Sequence, residues 1–107
     1  MATLVVHPMT MISKDSSTFN GSFQLIGATD RLCAVFKVIN NSTVDITISF
    51  DGVTAHDFVP AGASFVVDCV TNRGASETSL AVYKGQTFYV KGSSGTGSVY
   101  VSGYGPG

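Results

Sequence analysis

The sequence predicts an all-β protein: a single β-sandwich, Ig-like or jelly-roll-like, of about eight or nine short antiparallel strands. Three observations carry that expectation. Short runs alternate apolar and polar residues with period two. Gly, Pro, Asn and Asp clusters punctuate them roughly every ten residues. No apolar pattern at helical spacing extends over ten residues or more. The chain has 107 residues, enough for one domain spanning 1–107 with one modest core. An N-terminal arm (1–11) and a Gly-rich C-terminal tail (103–107) flank it.

Taken in order, "TLVV" and "SFQLIG" read as strands joined by the polar stretch "SKDSSTFNG". "LCAVFKVI" is apolar on both faces except for Lys37, as expected of a central strand. "TVDITISF" is half-buried: Val44, Ile46, Ile48 and Phe50 face one way, while Asp45, Thr47 and Ser49 face the other. The intervening "NNS" tolerates positive φ, so the two runs are expected to form a hairpin. "FDG" ends the second run at an Asp-Gly turn, and "VTAHDFV" follows. "PAGAS" supplies a Pro/Gly turn before "SFVVDCV". After the polar loop "TNRGASET" come "SLAVY", "QTFYVK" and "SVYVSG".

The loop "GSSGTG" between the last two runs raises the question of phosphate binding. A P-loop needs a Lys-Ser/Thr pair after its second glycine and a helix beyond it. Here Ser98 stands in the lysine position and a strand follows. The glycines are therefore expected to let the chain reverse in a hairpin.

Composition narrows the function classes. Hydrophobic residues make up 44% and charged residues 12%, against about 25% charged in an average globular chain. Such a surface suits a chain that spends its life against neighbours. The six cations, Lys14, Arg31, Lys37, Arg73, Lys84 and Lys91, are scattered, and the net charge is −1. Nucleic-acid binding wants a basic stripe, so no nucleic-acid partner is expected. No segment is long enough to span a membrane as a helix, and no membrane partner is expected. "MATLVVHPMTM" lacks the charge and apolar length of a signal peptide, so synthesis and folding are expected in the cytoplasm.

The chemistry-bearing residues are few. His7 and His56 are the only histidines, too few for a His-rich zinc site. "DGVTAHD" lacks the ligand spacing of a calcium loop. No serine sits in a nucleophile elbow. No enzyme activity, cofactor or metal is expected. Cys33 and Cys69 each lie in or beside an apolar run; two buried thiols and one inter-sheet bridge both fit that placement.

The runs "INNSTVDITISFDGVTAHDFVPAGASFVVD" and "YKGQTFYVKGSSGTGSVYVSGYG" carry a strand ending in "SFDG", a "PAG" turn and a closing "KG…FYVKG…GTGSVYVS" pair. This pattern, over 39–105, resembles small structural proteins of tailed bacteriophages: head-decoration, head-fibre, collar or tail components. The resemblance implies a virion location and the major capsid protein or tail components as partners. It implies many copies in a symmetric assembly or a homo-oligomer, and supplies no catalytic residues. Capsid decoration is the leading expectation; a tail or collar protein, or a glycan- or surface-binding module built on Asp51, His56, Asp57, Phe58 and Asn72, is the alternative. The expected contact residues are Tyr89 and Tyr100, placed by strand parity on one shared face, and Tyr104. Asn72 and Arg73 in the loop 71–78 join them, with His7, Pro8 and Met9 in the N-terminal arm.

Overall fold

A computed structural model describes residues 6–68 and 84–106. Nine strands form two antiparallel sheets packed face to face: β1 (Val6–Pro8), β2 (Ile12–Asp15), β3 (Gln24–Ala28), β4 (Val35–Ser42), β5 (Ile46–Ser49), β6 (Asp57–Val59), β7 (Ser64–Asp68), β8 (Thr87–Gly92) and β9 (Gly97–Pro106). Among the described residues one 3-10 turn, Ser16–Thr18, interrupts them, capped by the Asp15 carboxylate, which accepts the Ser17 N–H. The five-stranded sheet runs β1-β9-β4-β7, with β2 also pairing β9; the four-stranded sheet runs β3-β8-β5-β6. Consecutive strands alternate between the two sheets at most of the described connections. This is the order of a jelly roll, which selects one of the two expected sandwich types.

The core forms where the two inner faces meet. Val38, Val99 and Val101 from one sheet pack with Ile46, Ile48, Phe88 and Val90 from the other. Phe88 anchors an aromatic cluster, edge-on to Phe36 at 5.3 Å and to Phe50 at 5.4 Å between ring centroids. The alternation of "TVDITISF" is realised in part: Ile46 and Ile48 are buried and Thr47 faces outward, but Ser49, expected on the wet face, is buried, its hydroxyl donating to the Asp51 carboxylate and accepting the Gly52 N–H. β4 is central, between β9 and β7, as its two-sided apolar pattern implies.

Two expected hairpins are corrected. β4 and β5 belong to different sheets, and so do β8 and β9. "NNS" does not turn: β4 continues through Asn40, Asn41 and Ser42, paired with β9. Among the described residues no non-glycine residue has positive φ. The chain crosses between sheets at 43–45 and again at 93–96. The two crossings lie side by side, joined by the Thr43 N–H to the Thr96 carbonyl at 3.0 Å. Gly97 makes the second crossing passable. Its φ is 88°, and a Cβ there would run into the Asn41 carbonyl oxygen. "GSSGTG" is therefore a sheet-to-sheet corner leading into a strand, with no helix N-terminus behind it to hold a phosphate.

The arm and tail are also corrected. β1 pairs with the end of β9, Val6 opposite Pro106 and Pro8 opposite Tyr104, so residues 6–8 and 103–106 are sheet rather than free segments. β2 was not expected at all. The runs at 3–5 and 79–83 fall outside the described residues.

Candidate contact faces

Strand parity leaves two outward surfaces. On the five-stranded sheet, cross-strand rows place Pro8 beside Tyr104 beside Val35, Ser102 beside Lys37 beside Val66, and Ser13 beside Tyr100 beside Ile39. Val66 is 61% exposed and Tyr104 38%; Val35, Ile39 and Tyr100 are half-buried. On the four-stranded sheet, Leu25 lies beside Tyr89, and Lys91 beside Thr47 beside Phe58. Leu25 is 49% exposed and Phe58 61%. The Lys91 ammonium sits 4.9 Å from the centroid of the Phe23 ring, a cation–π contact that covers part of this surface. Antiparallel sheets that face water usually carry polar side chains outward. Both faces here carry apolar and aromatic ones.

Tyr89 and Tyr100 do point away from the core, but they do not share a face. Tyr89 belongs to β8 in the four-stranded sheet and Tyr100 to β9 in the five-stranded sheet, so they lie on opposite sides of the sandwich. The expected single contact face is thereby corrected to two. The reason is the corner at 93–96: parity sets inside or outside, and the crossing sets which sheet. Tyr89 lies against the Asp51–Gly52 turn, where a Cβ on Gly52 would approach its ring to 3.1 Å.

Met9 is corrected from a contact residue to a core residue. It is 5% exposed, and its N–H donates to the Gly103 carbonyl. Met9 faces inward by the ordinary alternation of the chain after outward-facing Pro8; residues 9–11 then sit opposite 102–103 between the β1 and β2 pairings, and the extra residue of this bulge leaves Met11 facing solvent. His7 is half-buried opposite Gly105, and Pro8 is exposed beside Tyr104. Asn72 and Arg73 fall outside the described residues. Leu25, Lys37 and Val66 belong to the faces but were not expected as contact residues from the sequence, and Phe58 was expected only in the sugar-binding alternative. Their signal was an apolar or charged residue at outward parity, which carries weight only once the sheets are known.

The Asp51–His56 loop closes on itself. The Asp51 carboxylate accepts from the Thr54 and Val53 N–H groups at 2.8 Å and from the Ser49 hydroxyl at 2.9 Å. Those bonds, the Thr54 amide first, hold it well below the usual carboxylate range. His56 stacks on Phe50, and its Nδ1 accepts the Phe50 N–H at 3.1 Å. Of the polar atoms proposed for a sugar site, Asp51 Oδ1 and His56 Nδ1 are thus occupied by the turn itself. Cys33 is buried and carries a free thiol, pushed up by that burial; Cys69 falls outside the described residues. Among the described residues no three His, Cys, Asp or Glu side chains gather as metal ligands, and no helix is long and apolar enough to cross a membrane.

No protein-family model matches the chain, and no curated protein matches it. A solved structure from Bacillus endospore appendages, described as a novel family of disulfide-linked pili, is similar over 98% of this chain and 91% of its own. The identity is 15% and the TM-score 0.48.

Proposed function

We propose that this chain is a non-enzymatic structural component of a bacteriophage particle, a capsid-decorating protein that works through protein–protein contacts. The observation that supports this most is the pair of half-exposed apolar faces on opposite sides of one sandwich. A lone monomer gains nothing from two such faces, whereas a repeated component uses each as a joint, and many modest joints add up to firm attachment. Jelly rolls build viral shells and lectins alike, so the fold does not choose between shell and sugar-binding roles. The self-satisfied Asp51 loop favours the contact reading over the sugar-binding one. The same faces would serve a tail or collar protein, a position that differs only in the number of copies per particle.

Particles made without this chain provide the test. Purified protein added back is expected to co-sediment with them. Because Tyr89 and Tyr100 lie on opposite faces, Tyr89→Ser and Tyr100→Ser are tested separately. At least one is expected to weaken attachment about tenfold, the scale for losing one interface tyrosine, with the melting temperature unchanged. Full attachment of both variants contradicts the use of these faces.

A further inference from the structure

We propose that Cys33 and Met9 form a buried two-sulfur site for a soft monovalent metal ion, Cu(I), with His7 as the nitrogen donor beside them. The donors lie on the inner side of the five-stranded sheet, away from both contact faces, so the site is independent of the structural role above.

Two glycines of β9 make the room. A Cβ on Gly103 would meet the Cys33 Sγ at 3.1 Å and the Met9 Sδ at 3.2 Å. Both sulfurs thus converge on the space this glycine leaves open, and both residues are buried. His7 shares the inward side with Met9, because Pro8 between them faces outward. It pairs with Gly105, where a Cβ would come within 3.4 Å of the Cys33 Cα. His7 is half-buried, and its ring has no hydrogen-bond or ion partner among the described residues. The Cys33 thiol donates to the Arg31 carbonyl at 3.5 Å. S–H is a weak donor, so little is lost when a metal replaces its proton.

Thiolate and thioether sulfur are the donors that select Cu(I) over harder ions. Charge points the same way. A thiolate with a monovalent ion is neutral and can stay buried, whereas a divalent ion would leave a net charge in an apolar site. On binding, the Cys33 S–H bond breaks, a sulfur–metal bond forms and one proton leaves to solvent. Nothing is oxidised or reduced. Met9 has three rotatable bonds, so its sulfur can close on the ion without moving the backbone. His7, the most exposed of the three donors, marks the way in.

Cys69 is the other thiol of the chain, so the test uses the full chain carrying Cys69→Ser. It is titrated with Cu(I), without oxygen, against bathocuproine disulfonate, whose absorbance reports the metal it gives up. One Cu(I) per chain is expected, and X-ray absorption of the loaded protein should show two sulfur neighbours and one nitrogen. Adding Cys33→Ser is expected to abolish binding; if that variant does not fold, Cys33→Ala is expected to show the same loss. Met9→Leu and His7→Phe are each expected to weaken binding about tenfold or more. Leucine is close to methionine in volume, so the metal-free melting temperature of Met9→Leu should nearly hold. A Cys69→Ser chain that takes no Cu(I), or a Met9→Leu or His7→Phe chain that takes it as tightly, overturns the proposal and leaves sulfurs that only fill the core. Neither result bears on whether the chain is part of a particle, which the copy number tests separately.

Discussion

Replacing Asn40 with leucine is expected to cost about 3–4 kcal/mol, although the two side chains are close in size. Asn40 is 1% exposed on the inner face of β4, at the end of the core. Its amide nitrogen donates to the carbonyls of Val44 at 2.8 Å, Val59 at 3.0 Å and Pro60 at 3.1 Å. Its oxygen accepts from the Ser42 N–H at 3.2 Å and from the Ser42 hydroxyl. One side chain thus ties the β4–β5 crossing to the β6–β7 turn, where the two sheets meet. Leucine can neither donate nor accept: the Pro60 carbonyl keeps the Ala63 N–H and the Val44 carbonyl keeps the Ser42 hydroxyl, while the buried Val59 carbonyl loses the Asn40 donor and the Ser42 N–H loses its acceptor, at about 1–3 kcal/mol for each buried group left unsatisfied. Denaturant unfolding monitored by circular dichroism reads the loss, and a drop in melting temperature of about 10 °C or more should accompany it. A loss below about 1 kcal/mol would mean that water reaches these groups.

The second large effect is expected at Gly105. It is buried in β9, where the segment 30–34 passes directly over the strand, and a Cβ at this position would overlap the Leu32 carbonyl oxygen. The obstacle is backbone, and the Ala34 N–H holds that segment to the Tyr104 carbonyl at 2.8 Å. Gly105→Ala must therefore push two chain segments apart, at about 3 kcal/mol or the upper end of overpacking costs. Gly21→Ala separates this effect from backbone strain. Gly21 has a φ of 84° but nothing within 4 Å of a Cβ, so its loss should be about 1–2 kcal/mol. Equal losses at the two positions would remove the steric argument.

These two residues show where the sequence was informative and where it was not. Alternation alone located β4, β5 and the final strands, because burial on one face imposes period two whatever the partner. It could not name the partner. Polar and glycine-rich connections such as "NNS" and "GSSGTG" suit a local reversal and a crossing to the other sheet equally, and this chain uses them for crossings. That one ambiguity put Tyr89 and Tyr100 on one face instead of two. Asn40 reads as a turn residue, since asparagine is common in turns; only the topology shows three carbonyls converging on it. Gly103 and Gly105 read as a fraying tail, yet a strand without side chains is what lets the segment 30–34 lie flat on β9. β2 was missed because "ISKD" offers one apolar residue, and its inward Lys14 is half-buried. Met9 was misplaced because 1–11 reads as a free arm; once Val6–Pro8 pairs with β9, Met9 alternates inward after outward Pro8.

Copy number measures the central claim most directly. Quantitative mass spectrometry of purified particles, from a phage encoding this chain, is expected to find it at an abundance comparable with the major capsid protein. A handful of copies would move the same contacts to a collar or tail. Complete absence from the particle would contradict the structural reading.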